Sequence, residues 1–167
     1  LEEKLGRAAY LDLLNGFFEG TTQIINDNGG EVLKFIGDAV LAIFPAGEDA
    51  KAASTQALDS AKQIVKHFRE PAGGNGTAQP TENIDCAIGI DFGRVTYGNI
   101  GSQERLDFTV IGKAANVAAR LAEYGKPAGH RIVASATIAS GDGDAQSLGA
   151  LDLHNVSEPV KAMAISQ

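Results

Sequence analysis

The chain has 167 residues, 44% of them hydrophobic and 21% charged, which is the size and make-up of one soluble globular domain with a single core. Its net charge of −7 argues against nucleic acid or an anionic membrane surface as a partner, and no apolar run approaches the roughly 18 residues of a membrane span. A single cysteine, Cys86, excludes an intramolecular disulfide and a cysteine-based metal cluster, and its apolar neighbours mark it as a small core residue in a reducing, cytoplasmic setting.

In chain order, Leu5 to Asn26 has apolar residues at helical spacing (Leu11, Leu14, Phe17, Phe18, Ile24), and Asp27-Asn28-Gly29-Gly30 ends the pattern. Two apolar runs, Val32–Ile36 and Ala39–Phe44, flank Gly37-Asp38, the signature of a tight hairpin. Asp49 to Phe68 is an alanine-rich helix with Ala57, Ala61, Ile64, Val65 and Phe68 on one face, and Pro71 to Thr81 has the composition of a surface loop. Strands are expected at Ile84–Ile90 and Arg94–Ile100, joined at Asp91-Phe92-Gly93, and again around Phe108–Ile111. A helix follows from Lys113 to Tyr124, then Gly125-Lys126-Pro127, a short strand at Arg131–Val133, a short helix near Ser135, and two closing strands near Leu148–Leu153 and Val160–Ile165. Hairpins interleaved with helices define an α+β sandwich, one mostly antiparallel sheet carrying helices. There is no internal repeat and no interdomain linker.

Two places carry chemistry. Asp38 sits at the tip of a turn between apolar strands, where a carboxylate is held by fixed backbone and open to a hard cation such as Mg²⁺; Gly-Asp is equally a plain turn former. Lys34, in the otherwise apolar first strand, either serves a site or simply reaches out to solvent. Asn116 and Arg120 lie four apart, so both project from one helix face, as a binding surface or a solvated one. The segment from Asp91 to Arg131 is locally basic within the acidic domain, with Arg94, Arg105, Lys113, Arg120, Lys126 and Arg131 against Asp91, Glu104, Asp107 and Glu123.

The stretch Gly29-Gly30-Glu31-Val32-Leu33-Lys34-Phe35-Ile36-Gly37-Asp38-Ala39-Val40-Leu41-Ala42-Ile43-Phe44 closely resembles the hairpin of class III adenylyl and guanylyl cyclases. Gly98-Asn99-Ile100-Gly101-Ser102, Arg105 to Gly112 and Asn116-Val117-Ala118-Ala119-Arg120-Leu121 resemble that family's second signature block, and Val156-Ser157-Glu158-Pro159-Val160 resembles its last hairpin. The likeness runs in order along nearly the whole chain. It implies a ferredoxin-like α/β sandwich and the conversion of ATP to 3′,5′-cyclic AMP and pyrophosphate by a homodimer.

The resemblance also implies roles. Asp38 matches the second of two metal aspartates that hold two Mg²⁺ or Mn²⁺ ions; Asn116 matches the residue that orients the ribose; Arg120 matches the arginine that meets charge developing on the phosphate. Phe35 and Gly37 of the hairpin are expected to line the substrate site. Asp38 of one protomer is expected to face Asn116, Arg120, Lys34 and Thr109 of its twin. Lys34, a donor, suits adenine N1, and Thr109, seven residues before Asn116, can accept from N6. Guanylyl cyclases typically carry Glu and Cys at these two places, and the Lys-Thr pair resembles a mostly bacterial subgroup of adenylyl cyclases.

The sequence departs from the family pattern at its start. The family's first metal aspartate lies in a strand before the first helix, and residues 1–167 contain no match to it. As Leu1 is not Met and no signal-peptide pattern is present, the domain is expected to lie inside a longer polypeptide that supplies this strand and a fused regulatory domain. The alternatives are a cyclase-like dimerisation or regulatory module without turnover, and a guanylyl cyclase. Gly98-Asn99-Ile100-Gly101 lacks the strand-to-helix context of a phosphate loop and is expected to be a strand end and hairpin.

Overall fold

The computed structural model describes residues 6–69 and 84–166. The segment expected as a surface loop, Pro71 to Thr81, lies outside the described residues. Helix α1 (Arg7–Asp27) leads into β1 (Glu31–Ile36) and β2 (Ala39–Ile43), followed by α2 (Ala50–Arg69). Then come β3 (Ile88–Ile90), β4 (Thr96–Ser102), β5 (Arg105–Ile111), α3 (Lys113–Ala128), β6 (Ile132–Ser135), the one-turn α4 (Ala136–Ala139), β7 (Gln146–Leu151) and β8 (Val160–Ala164).

The α+β class is as expected, but the strands form three hydrogen-bonded groups where one sheet was expected. A four-stranded sheet runs in the order β3-β6-β8-β7, and β1-β2 and β4-β5 are separate antiparallel hairpins. β3 and β4, adjacent in sequence, lie in different groups, because β3 pairs in parallel with β6 (Ile88 opposite Ile132, Ile90 opposite Ala134). The two strands differ in coverage. Ile88 and Ile90 pack on one core cluster while Gly89 meets the helix on the other side, as suits a strand covered on both faces. β4, with Thr96, Tyr97 and Asn99 exposed, belongs to a half-covered ribbon.

The core is built around β6, all four of whose residues are buried. Its alternation sorts the layers: Ile132 and Ala134 pack with Leu58, Ala61 and Val65 of α2 and with Ile138 of α4. Val133 points the other way, to Val117 and Leu121 of α3 and to Leu151 and Ala162. A third cluster joins Ile25 of α1 and Ile64 and Phe68 of α2 to Val32, Val40, Ala42 and Phe44 of the first hairpin. Cys86 packs against the first and third clusters, and burial, helped by the neighbouring Asp85, pushes its thiol pKa up.

Local signals set the helix ends. Asp49 caps α2, its carboxylate accepting from the Ala52 backbone N–H at 3.0 Å. Asn28 closes α1 by donating to the Ile24 carbonyl at 2.8 Å and to Gln63 at 3.1 Å. Helix α3 does not stop at Tyr124 as expected but runs through Gly125-Lys126-Pro127 to Ala128. His130 then bonds back to Gly125 at 2.9 Å and Gly129 to Lys126 at 3.4 Å, a Schellman-type closure that lets the proline stay in the last turn.

Helix α3 lies close on β3 because residue 89 has no side chain. A Cβ at Gly89 would overlap the Ala118 carbonyl oxygen, so any larger residue displaces the helix.

Lys62 of α2 bonds the Asp142 carboxylate at 2.9 Å, and Asp142 also accepts from the Asp144 backbone N–H at 3.0 Å. Its carboxylate is only 9% exposed, and the Lys62 hydrogen bond, then the Asp144 N–H, hold its pKa below the usual carboxylate value. A group lowered in the folded state adds stability above its unfolded pKa and loses it as pH falls through the folded one. Asp142→Asn is therefore expected to cost about 1 kcal/mol near neutral pH, since Lys62 is partly screened by solvent. Thermal melts of the two proteins at pH 7 and in strong acid check this: the gap should shrink as the native carboxylate protonates.

Candidate active site

The first hairpin fixes Asp38. Ile36 pairs with Ala39, leaving Gly37-Asp38 as a two-residue turn. Gly37 has φ of 59° and Asp38 does not share a positive φ, the II′ pattern whose first position favours glycine. The carboxylate stands exposed at the tip, as its position in the sequence predicts.

Lys34 does not simply reach out to solvent. The ladder shifts register between Val32 and Lys34, and the ammonium crosses to the second hairpin, donating to the Phe108 carbonyl at 3.0 Å. It also lies 4.0 Å from the Asp107 carboxylate and is 36% exposed. Thr109 is the next residue of that strand after Phe108. The Thr109 hydroxyl donates to the Asp107 carbonyl at 3.3 Å, which spends its proton and leaves its oxygen as an acceptor. An ammonium has three donors, of which Phe108 takes one and Asp107 attracts another.

Phe35 is placed differently from its strand neighbour. Its ring stacks on Phe18 of α1, centroids 4.3 Å apart, so it faces the helix layer while Lys34 reaches β5. The structure thus brings Lys34 onto the strand residues before Thr109, Asp107 and Phe108, and it separates Phe35 from them by strand alternation.

Asn116 and Arg120 share one face of α3, opposite Ala114, Val117 and Leu121, which are buried. Asn116 is exposed; Arg120 is half-buried, and its Nη1 donates to both carboxylate oxygens of Glu123 at 3.0 and 2.8 Å. Arg120 Nε is buried with no partner. Glu123 and Asp107 enter the sequence reading only as charges. Their signals were nevertheless present, in the i, i+3 spacing of Arg120 and Glu123 and in the closeness of Asp107 to Thr109.

Among the described residues no group of three or more His, Cys, Asp or Glu side chains gathers as a metal site. Asp38 is one exposed oxygen donor, and the described residues alone do not complete a two-ion centre. Nor is any helix among them long and apolar enough to cross a membrane.

The comparisons with known proteins agree with the α+β fold. The family of adenylate and guanylate cyclase catalytic domains matches residues 2–148, and the chain belongs to that family. Two uncharacterized proteins of Mycobacterium tuberculosis are 34% identical over 128 residues and 37% identical over 123 residues, covering 77% and 74% of this chain. The chain spans about a fifth of the length of each, 22% and 20%. Among solved structures, a bacterial light-regulated adenylyl cyclase is 30% identical with a TM-score of 0.71, over 98% of this chain and 46% of that one. The adenylyl cyclase CyaB from P. aeruginosa is 26% identical with a TM-score of 0.68, over 99% and 87%. The guanylyl cyclase Cya2, 24% identical with a TM-score of 0.63 over 92% of this chain and 78% of that one, shares the fold.

Proposed function

We propose that the domain is an adenylyl cyclase, in which the ribose 3′-hydroxyl of ATP attacks the α-phosphorus, pyrophosphate leaves, and 3′,5′-cyclic AMP is formed. The observation that carries the choice of purine is the Lys34–Phe108–Thr109 arrangement. One side chain there can only donate, and the other points its hydroxyl hydrogen at the Asp107 carbonyl and keeps its oxygen lone pairs for a donor. That pair complements the N1 acceptor and N6 amino donor of adenine and opposes the N1–H and O6 of guanine. Asn116 orients the ribose, and the planar guanidinium of Arg120 meets charge developing on the phosphate.

The active unit is a homodimer, in which Asp38 and Gly37 of one protomer close over the Lys34, Thr109, Asn116 and Arg120 of the other. Exposed apolar side chains on both hairpins support this: Ile36 on the first, Ile100, Leu106 and Ile111 on the second. A divalent cation, Mg²⁺ or Mn²⁺, would neutralise triphosphate charge when bound, and Asp38 is the carboxylate these residues offer it. The domain works in the cytoplasm, fused to a regulatory domain in the longer chain.

The test is an assay of the purified full-length protein with ATP and with GTP, each with Mg²⁺ and Mn²⁺, across a range of protein concentration. Cyclic AMP should form with ATP, and specific activity should climb with concentration as dimers assemble. Cyclic GMP as the main product, or no product under any of these conditions, would refute the proposal.

A further inference from the structure

Arg120, the phosphate-facing side chain of the proposed reaction, is engaged by a carboxylate of its own helix. Glu123 lies one turn further along α3, so Asn116, Arg120 and Glu123 make one stripe on the helix. Both oxygens of Glu123 converge on a single corner of the guanidinium, Nη1, at 3.0 and 2.8 Å. The side-on edge of a guanidinium, formed by Nε and Nη2, is a fork that meets a phosphate with two parallel bonds. Here Nε is buried and has no partner, so this edge is not presented to a ligand. With one corner bound to a carboxylate and a buried donor unsatisfied at another, the guanidinium must turn before its fork can meet a phosphate.

We propose that Glu123 is a positioning residue that holds Arg120 by one corner, and that the guanidinium exchanges Glu123 for the phosphate as charge builds at phosphorus. This rests on the cyclase reading of Arg120. Because the exchange is completed in the transition state, the Glu123 contact opposes turnover more than binding. The carboxylate is 62% exposed, so the hold is weak and reversible.

The test uses Glu123→Gln in the full-length protein, with two readouts. The first is the Arg120 Nε–H resonance in protein labelled on arginine side chains, identified by its loss in Arg120→Lys. It should exchange slowly with water in the wild type and faster in Glu123→Gln. The second is steady-state kinetics: kcat should rise about twofold to fivefold, as expected for releasing one exposed ion pair, while KM moves by less. Glu123→Asp should fall between the two. An Nε–H signal unchanged by the substitution overturns the proposal, as does a kcat that stays level or drops. If the Nε–H signal responds but the wild type makes no cyclic nucleotide, the Glu123 contact stands and the cyclase reading falls.

Discussion

Replacing Arg120 by alanine is expected to lower kcat by roughly a hundredfold to a thousandfold, the loss typical of removing one preorganised donor from a developing oxyanion. KM should change far less, because the contact is made fully only in the transition state. Arg120→Lys should not rescue the rate, since a point ammonium cannot supply two parallel bonds from one plane. The side chain is half-buried and its one ion pair is to the exposed Glu123, while Val117 and Leu121 hold the helix to the sheet, so thermal stability should fall by less than the rate does. The dimer makes a sharper test. Asp38→Ala alone and Arg120→Ala alone should each be inactive, yet an equimolar mixture should recover roughly a quarter of wild-type activity. Half of the randomly formed pairs are mixed, and each mixed pair carries one intact site of two. A mixture no better than its parts would place both residues in the same protomer's site.

Substituting Lys34 by glutamate is expected to remove most activity with ATP, because a carboxylate turned toward adenine N1 sets two acceptors face to face. A site built to hydrogen-bond one partner commonly rejects the mismatched one by factors approaching ~10⁴. The structure adds a condition. The ammonium of Lys34 sits 3.0 Å from the Phe108 carbonyl and 4.0 Å from the Asp107 carboxylate, so an acid there would meet an acceptor and a like charge. Lys34→Glu alone should therefore be poorly held and weak with both nucleotides. Lys34→Glu with Thr109→Cys and Asp107→Asn should turn over GTP in preference to ATP. Initial rates with the two nucleotides decide this, and an unchanged ATP preference in Lys34→Glu would mean that Lys34 does not read the base.

Much of this architecture was legible in the sequence for reasons that can be named. The Gly37-Asp38 turn and the apolar stripe of α2 are local signals, and each appears within a residue or two of its expected position. What was not legible is non-local. Nothing in Ile88-Gly89-Ile90 says that its partner is β6, more than forty residues on, and not the neighbouring β4. The continuation of α3 through Pro127 was hidden because a proline reads as a stop, whereas closure by His130 and Gly129 satisfies the final turn. Of the site, the residue types at 34, 38, 109, 116 and 120 could be picked out by resemblance. The company they keep was legible only in part: the i, i+3 spacing lets Glu123 reach Arg120, whereas the Phe108 carbonyl under Lys34 is a feature of the folded chain.

The missing side chain at position 89 has a mechanical meaning. With backbone resting on backbone, α3 and the four-stranded sheet behave as one stiff plate bearing Asn116 and Arg120. The first hairpin belongs to another hydrogen-bonded unit, and Lys34 is its polar tether to the second. Any displacement of one unit against the other is therefore taken up at side-chain contacts such as Lys34 to Phe108, and not within a shared ladder.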